Sequence, residues 1–456
     1  MRTNRWAIAV AGTVAMICLG TVYSWSLFTQ PLIAAFGWSN TTTTWAFALS
    51  IFFLGVGAIA GGRWQDRRGP RPVAVTGVVL WGLANVLAGL GTARFGAPWI
   101  YLTYGVLGGI GLGLGYVTPV AAVTKWFPDR RGLATGMVVM GFGLGAFLYN
   151  NILKAVPAFA AVAGEAGRVV AARGQGAAGI LSDASRDTLM STFVWSGVIF
   201  AVVGGICASF LRNPAAAPAI ATSTATSTST ATSTATPAAG AHAVLVDYPP
   251  SRALRTPQFW ALWAMLFLNV TAGILFISNA VPIMRELTGA APATALAVYG
   301  FIALFNGLGR FFWGAVSDRI GRNMAYLLIY GTQVVIFFVV GGVDALWLVA
   351  ALFAIVLLDY GGGFGTMPSF TADYFGTRYM GVNYGWILSA WGIGGIVGPI
   401  FVSIVKDRTG SFSGALPVIA VMLLGAMILP LVTRRPGEKR EGPFYRGLVR
   451  RARAGA

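Results

Sequence analysis

Charge is scarce in this chain. Only 10% of its 456 residues are Asp, Glu, Lys or Arg, against about 25% in a soluble domain. Histidine is represented by His242 alone, and cysteine by Cys18 and Cys207. The sequence holds no Ser/His/Asp or Cys/His set for nucleophilic catalysis, no metal-ligating cluster and no P-loop pattern for a nucleotide. An enzyme, an ATP-driven pump, a cofactor and a metal site are therefore not expected. Both cysteines fall inside predicted helices, which gives a disulfide framework no support, and His242 falls in a polar gap and reads as a linker residue.

Apolar residues are abundant: 56% of the chain is hydrophobic and 61 residues are glycine. About 20 apolar residues at 1.5 Å each cross the hydrocarbon of a bilayer. Such runs begin near Trp6, Thr43, Pro72, Trp99, Gly132 and Ser191, and again near Pro257, Ala293, Asn323, Asp344, Gly381 and Gly414. The reading is an all-α integral membrane protein with twelve transmembrane helices. The first run, Trp6 to Phe28, follows Arg2 and Arg5 as a signal peptide would. It exceeds the usual 7–15-residue apolar core of a signal peptide and another span follows closely, so it is expected to be retained.

A net charge of +18 raises the question of nucleic acid. With both termini cytoplasmic, however, most Lys and Arg fall on the inner side, including Arg63, Arg67, Arg68, Arg71, Lys125, Arg130, Arg131, Arg319 and Arg322. This is the positive-inside bias of a multi-pass plasma-membrane protein, with a bacterial cytoplasmic membrane expected. The charge fits contact with anionic lipid headgroups and not a nucleic-acid footprint.

The Thr/Ala/Ser run "TSTATSTSTATSTAT" cannot bury enough apolar surface to order itself. It divides the chain into an N-terminal six-helix bundle over 1–212, a cytoplasmic linker over 213–256, a C-terminal six-helix bundle over 257–433 and a basic cytoplasmic tail over 434–456. A second polar stretch, 156–187, joins helices five and six on the outside, with no task evident. The halves also repeat. "GRWQDRRGPR" and "GAVSDRIGR" share Gly-x-x-x-Asp-Arg-x-Gly, placing Gly62, Asp66, Arg67 and Gly69 opposite Gly314, Asp318, Arg319 and Gly321 between the second and third helix of each half. The glycines permit close helix approach and the charges suit helix ends, so both copies read as gate-related structure; a plain turn is the simpler alternative.

With this duplicated motif the chain resembles the major facilitator superfamily, along nearly its whole length outside the linker and tail. The resemblance implies two six-helix bundles rocking about a midplane site. "KWFPDRRGLATG", from Lys125, is similar to the fifth-helix signature of monocarboxylate transporters, and "GTVYSWSLFTQPL", from Gly20, resembles the first helix of the oxalate/formate antiporter group. Both groups hold the substrate carboxylate with an eighth-helix arginine, and Arg310 in "NGLGR" stands at that place. Where the monocarboxylate group often has an aspartate four residues earlier, this chain has Asn306. Where oxalate exchangers carry an eleventh-helix lysine, it has Trp391. One fixed cation suits a monoanion of the lactate, pyruvate or formate type better than a dianion.

The residues themselves reach part of this without the family. An arginine at a helix centre costs about 2.5–3.5 kcal/mol on the insertion scale. Asp359, in "FAIVLLDYGGGFG", is the one acid among 14 predicted deep in a helix. One deep cation and one deep anion suggest that Asp359 partly neutralises Arg310 until a carboxylate takes the arginine over. Asp359 then accepts a proton, and anion and proton cross together. A static pair locking helices eight and ten is the alternative. Tyr23, Tyr116, Tyr149, Asn150, Tyr360, Phe364 and Trp391 are expected to line the cavity, although each also suits ordinary packing. The runner-up function is an organic-anion exchanger without proton coupling. A membrane sensor signalling through the tail belongs to another class: truncation after Thr433 would silence a sensor and leave a carrier working. Expected partners are a small organic anion, a proton and the bilayer, with no nucleic acid, and the expected state is a monomer.

Overall fold

A chain segment in hydrocarbon must satisfy its backbone polar groups internally, so each apolar run can cross only as a helix or in a closed barrel. The computed structural model describes residues 4–174, 179–214, 246–409 and 414–437, and every predicted run is helical. The first bundle comprises α1 (Arg5–Phe36), α2 (Asn40–Arg68), α3 (Pro70–Phe95), α4 (Ala97–Trp126), α5 (Arg131–Ala155) and, after an added helix α6 (Pro157–Gly174), α7 (Asp183–Ser209). The second comprises α8 (Pro257–Thr288), α9 (Thr294–Ile320), α10 (Arg322–Gly342), α11 (Leu346–Phe375), α12 (Met380–Thr409) and α13 (Leu416–Val432). Twelve of these thirteen are membrane passes among the described residues; α9 is thus the eighth pass, α11 the tenth and α12 the eleventh. Leu90, Trp195, Val335 and Val421 stand exposed on the outer surface, which lipid tolerates and water would not. The Thr/Ala linker with His242 and the basic tail beyond 437 lie outside the described residues.

The bundles meet along two seams, α2 against α12 and α5 against α9. Glycine sets their closeness. A Cβ on Gly132 would sit 2.1 Å from the Gly314 carbonyl, and one on Gly136 would sit 2.6 Å from the Arg310 carbonyl. The tightest approach around Arg310 lies within the second bundle, where a Cβ on Gly309 would stand 1.9 Å from the Leu358 carbonyl of α11. Backbone cannot yield as a side chain can. Gly309→Ala is expected to cost about 1–3 kcal/mol through overpacking, read as a lowered melting temperature of the purified protein. An unchanged midpoint would mean that α9 and α11 are not locked in this way.

The polar stretch over 156–187 is more than a connection, since it contains α6. Apolar Phe159, Val162 and Ala166 are buried, with the Phe159 ring edge-on to Phe28 of α1 at 5.5 Å. Arg173 donates to the Ile33 and Ala34 carbonyls at the end of α1, satisfying oxygens that a helix C-terminus leaves free. Glu165 accepts from the Ser185 hydroxyl and the Ser182 N–H at the start of α7, and these bonds hold its carboxyl below its ordinary range. The mixed composition hid a helix whose apolar stripe is short.

Candidate functional site

Arg310 lies on α9, about one turn before the start of the motif at Gly314, and has no solvent exposure. Its guanidinium carbon is 4.9 Å from the centre of the Phe364 ring and 5.7 Å from that of Phe142, so the cation sits between two aromatic faces. Nε donates to Asn306 Oδ1 at 3.4 Å, one turn back on the same helix, and Nη1 reaches the Val139 carbonyl at 3.5 Å. Both bonds are long, and Nη2 has no partner. A desolvated guanidinium with so few bonds is expensive unless an anion joins it.

Around it the rings interlock. Trp391 of α12 is edge-on to Tyr116, Phe142 and Phe364 with centroids 5.3, 5.5 and 4.8 Å apart, and tilted against Tyr23 at 6.1 Å. Tyr360 packs on Phe364 at 5.4 Å. The hydroxyls of Tyr23, Tyr116 and Tyr384 and the indole Nε1 of Trp391 form no hydrogen bond within 3.5 Å among the described residues, although Tyr23 and Tyr116 interact with Arg310 at longer range. Buried polar groups are normally satisfied, so a cluster of unpartnered ones beside an uncompensated cation marks a place for a ligand. Its chemistry is that of hydrogen-bond donors around one positive charge, suited to a small anion with an apolar or flat body.

Local sequence explains this convergence. Helix α1 tightens to a 3₁₀ turn over Thr21–Ser24, where Tyr23 sits. The preceding Gly20 lies so close to the Phe142 carbonyl that a Cβ would be 2.0 Å from it. Tyr360 and Phe364 are four apart and share one face of α11.

The structure thus gathers Arg310, Asn306, Tyr23, Tyr116, Tyr360, Phe364 and Trp391. It places Tyr149 elsewhere: that hydroxyl is hydrogen-bonded to Ser196 of α7 and its ring stacks with Phe28 at 6.3 Å. Asn150, half-buried next to it with Oδ1 unpartnered, makes no hydrogen bond to the cluster.

The expected Arg310–Asp359 ion pair is not formed, since no bridge within 4.0 Å joins them. Asp359 Oδ1 instead accepts from the Trp313 indole at 2.9 Å, and Oδ2 is unpartnered. The reason is helical geometry. Neighbouring positions on a helix point about 100° apart, so the Tyr360/Phe364 face that meets Arg310 turns Asp359 toward the next ridge of α9, where Trp313 stands. Phe142, Trp313 and Tyr384 were not among the sequence candidates. Tyr384 could have been found, because it precedes Trp391 by seven residues, two turns along one face. Trp313 carried a weaker signal, an indole three residues after the deep arginine.

The repeated motif has a matching geometry in both halves. Asp66 accepts from the N–H groups of Gly381 and Val382 at 3.2 and 2.9 Å, and Asp318 from those of Gly132 and Leu133 at 2.8 and 2.9 Å. Each carboxylate caps the first turn of a helix in the opposite bundle, where the macrodipole favours negative charge. Gly62 and Gly314 make the approach possible, and Gly69 and Gly321 turn the chain at φ +84° and +89°, a left-handed conformation that favours glycine. Arg67 and Arg319 are exposed and take no part. In the second copy the ion pairs are made instead by Arg322, which bonds Asp318 at 2.7 Å and Asp373 at 2.9 Å, and by Arg131, which bonds Asp373 at 2.9 Å; in the first, Lys125 stands 3.9 Å from Asp66.

Comparison with known proteins agrees with this architecture. The family described as Major Facilitator Superfamily matches residues 10–399. An oxalate:formate antiporter of Oxalobacter formigenes is 30% identical over 458 aligned positions, covering 96% of each chain. Monocarboxylate transporter 13 of Bos taurus is 24% identical, covering 90% of this chain and 84% of that one. Among solved structures, the transporter FucP in the outward conformation superposes with a TM-score of 0.65 at 15% identity, over 94% of this chain and 98% of the other, a likeness of fold.

Proposed function

This chain belongs to the Major Facilitator Superfamily, and on that footing we propose that it moves a small monocarboxylate of the lactate, pyruvate or formate type across a bacterial cytoplasmic membrane by alternating access, together with a proton. One observation carries the reading: Arg310 is completely buried, has a free Nη2 and, among the described residues, has no counter-anion within ion-pair distance. A planar carboxylate fits a guanidinium edge as a two-bond fork, and the tyrosine and Trp391 donors can take its remaining lone pairs. Among the described residues no second cation lies in the cluster, which favours a monoanion.

Asp359 supports the proton. A carboxylate buried with one neutral donor and no cation is costly, and a bound proton removes that cost. Arg310 lies three residues before Trp313 on α9, and Asp359 of α11 accepts from that indole and not from the arginine, so the coupling runs through helix position: carboxylate binding at Arg310 shifts α9, and α9 carries the Trp313 donor. Transport needs only this one chain, and both termini and the linker belong on the cytoplasmic side.

In this conformation the motif end is shut by Asp66 and Asp318. Replacing both with asparagine keeps an accepting oxygen but removes the negative charge at each helix N-terminus, an interaction worth about 0.3–1 kcal/mol each, up to about 2 kcal/mol when partly buried. Spin labels on α5 and α9 at that end should report a wider mean separation in the double variant. Unchanged distances would count against the gate.

An exchanger of two organic anions is the second reading, favoured by the 30% identical antiporter and by the missing Arg310–Asp359 pair. Uptake of labelled L-lactate into proteoliposomes, with and without an imposed inward proton gradient, separates the two. Accumulation driven by the gradient supports symport; uptake only into vesicles preloaded with another organic acid supports exchange.

A further inference from the structure

We propose that a second anion site, distinct from Arg310 and independent of the transport reading, lies where α2 and α7 end and α3 begins, and that it takes the phosphate group of an anionic phospholipid. A cavity of about 430 Å³ opens there. Arg68 from the last turn of α2, Arg71 from the first turn of α3 and Arg212 just after α7 line it, with Ser209 and Asn213 as neutral polar neighbours and no acid in the wall.

The three arginines differ from the paired cations at this end of the molecule, and unlike the equally unpaired Arg67 and Arg319 they line one cavity. Arg5, Lys125, Arg131 and Arg322 each pair with an aspartate. No ion pair or side-chain hydrogen bond is formed by Arg68, Arg71 or Arg212 among the described residues. Nor can the adjoining sequence neutralise them, because it holds no Asp or Glu from Asn213 until Asp247. The wall is also held in place: the Trp126 indole donates to the Arg212 carbonyl at 2.7 Å, and Gly69, at φ +84°, fixes the turn that sets Arg68 and Arg71 side by side. The α3 N-terminus adds a positive dipole end to the cavity.

The source of the phosphate follows from what surrounds the mouth. Ile206 in the last turn of α7 and Phe210, the residue that follows the helix between Ser209 and Leu211, are large apolar side chains 57% and 53% exposed. A free phosphate has no use for such a wall, whereas a phospholipid lays its acyl chains there with its headgroup in the basic cavity. Basic pockets between transmembrane helices at the inner surface bind lipid headgroups through this combination.

The test is native mass spectrometry of the full-length protein in mild detergent, titrated with phosphatidylglycerol or phosphatidylcholine. Wild type is expected to retain one phosphatidylglycerol in preference to phosphatidylcholine, and R68Q/R71Q/R212Q to lose it, with apparent affinity falling at least about tenfold. R450Q/R451Q/R453Q, which removes as much charge from the tail, is expected to retain it. Equal retention by the pocket variant overturns the site, and equal loss in the tail variant reduces it to general surface charge. Millimolar inorganic phosphate added to wild type should leave the lipid bound; displacement would overturn the lipid source and make this a site for free phosphate. R68K/R71K/R212K, keeping the charge, should hold the lipid, and this with the phosphate competition decides the matter should the glutamine variant fold poorly.

Discussion

Arg310→Gln is expected to abolish carboxylate transport while leaving the protein as stable as before, or more so. Truncating one partner of a buried charge pair typically costs 2–5 kcal/mol of binding, or roughly 30- to 5,000-fold. The stability expectation has the opposite sign. In the unloaded protein the guanidinium is fully buried, with two long hydrogen bonds and a free Nη2, so neutralising it removes a desolvation cost without breaking an ion pair. Arg310→Lys should also fail, because an ammonium keeps the charge but loses the fork and the fit between the Phe142 and Phe364 rings. Initial uptake rates and melting temperatures on the same three proteins check all of this. A glutamine variant that transports normally would remove the arginine from the site. One that unfolds would return it to a structural role.

Asp359→Asn should separate transport from the proton. With one-to-one coupling, an inward gradient of one pH unit is worth about 1.36 kcal/mol and supports up to about tenfold accumulation. The asparagine variant is expected to equilibrate its substrate without accumulating it, and to keep exchanging labelled for unlabelled acid. The fold should hold, because the amide oxygen can still accept from the Trp313 indole, whose bond to Oδ1 is 2.9 Å in the native protein. Trp313→Phe removes only that donor and should weaken the coupling without eliminating it. Full gradient-driven accumulation in the asparagine variant would leave Asp359 with no part in coupling, and the exchanger reading would gain.

The relation between these two residues shows where sequence reasoning stops. Hydropathy located both at membrane depth, because charge inside an apolar run is conspicuous whatever the packing. Whether they touch depends on helix rotation, and one position decided it: Tyr360 and Phe364 occupy the face of α11 toward Arg310, so Asp359 is turned to Trp313. Tyr149 is a similar case. Its place on the fifth pass suited a cavity, but the contact with Ser196 turns it into the packing between α5 and α7. For α6 the limit was different, since a helix built largely from alanine and glycine and interrupted by Glu165, Arg168 and Arg173 has no long strongly hydrophobic run to mark it.

By itself, the sequence determined that this is a membrane protein of twelve passes, where they begin, that its halves repeat, and that Arg310 is a deep cation lacking a nearby acid on its own helix. All of these rest on composition, spacing and the cost of charge in hydrocarbon, which are local or additive quantities. Only the tertiary structure decided which donors surround Arg310, that Asp359 binds an indole in place of the arginine, and that Asp66 and Asp318 cap helices of the opposite bundle. Those outcomes depend on rotation and close approach between segments far apart in the chain, set by glycine contacts and interlocking rings that no single segment encodes.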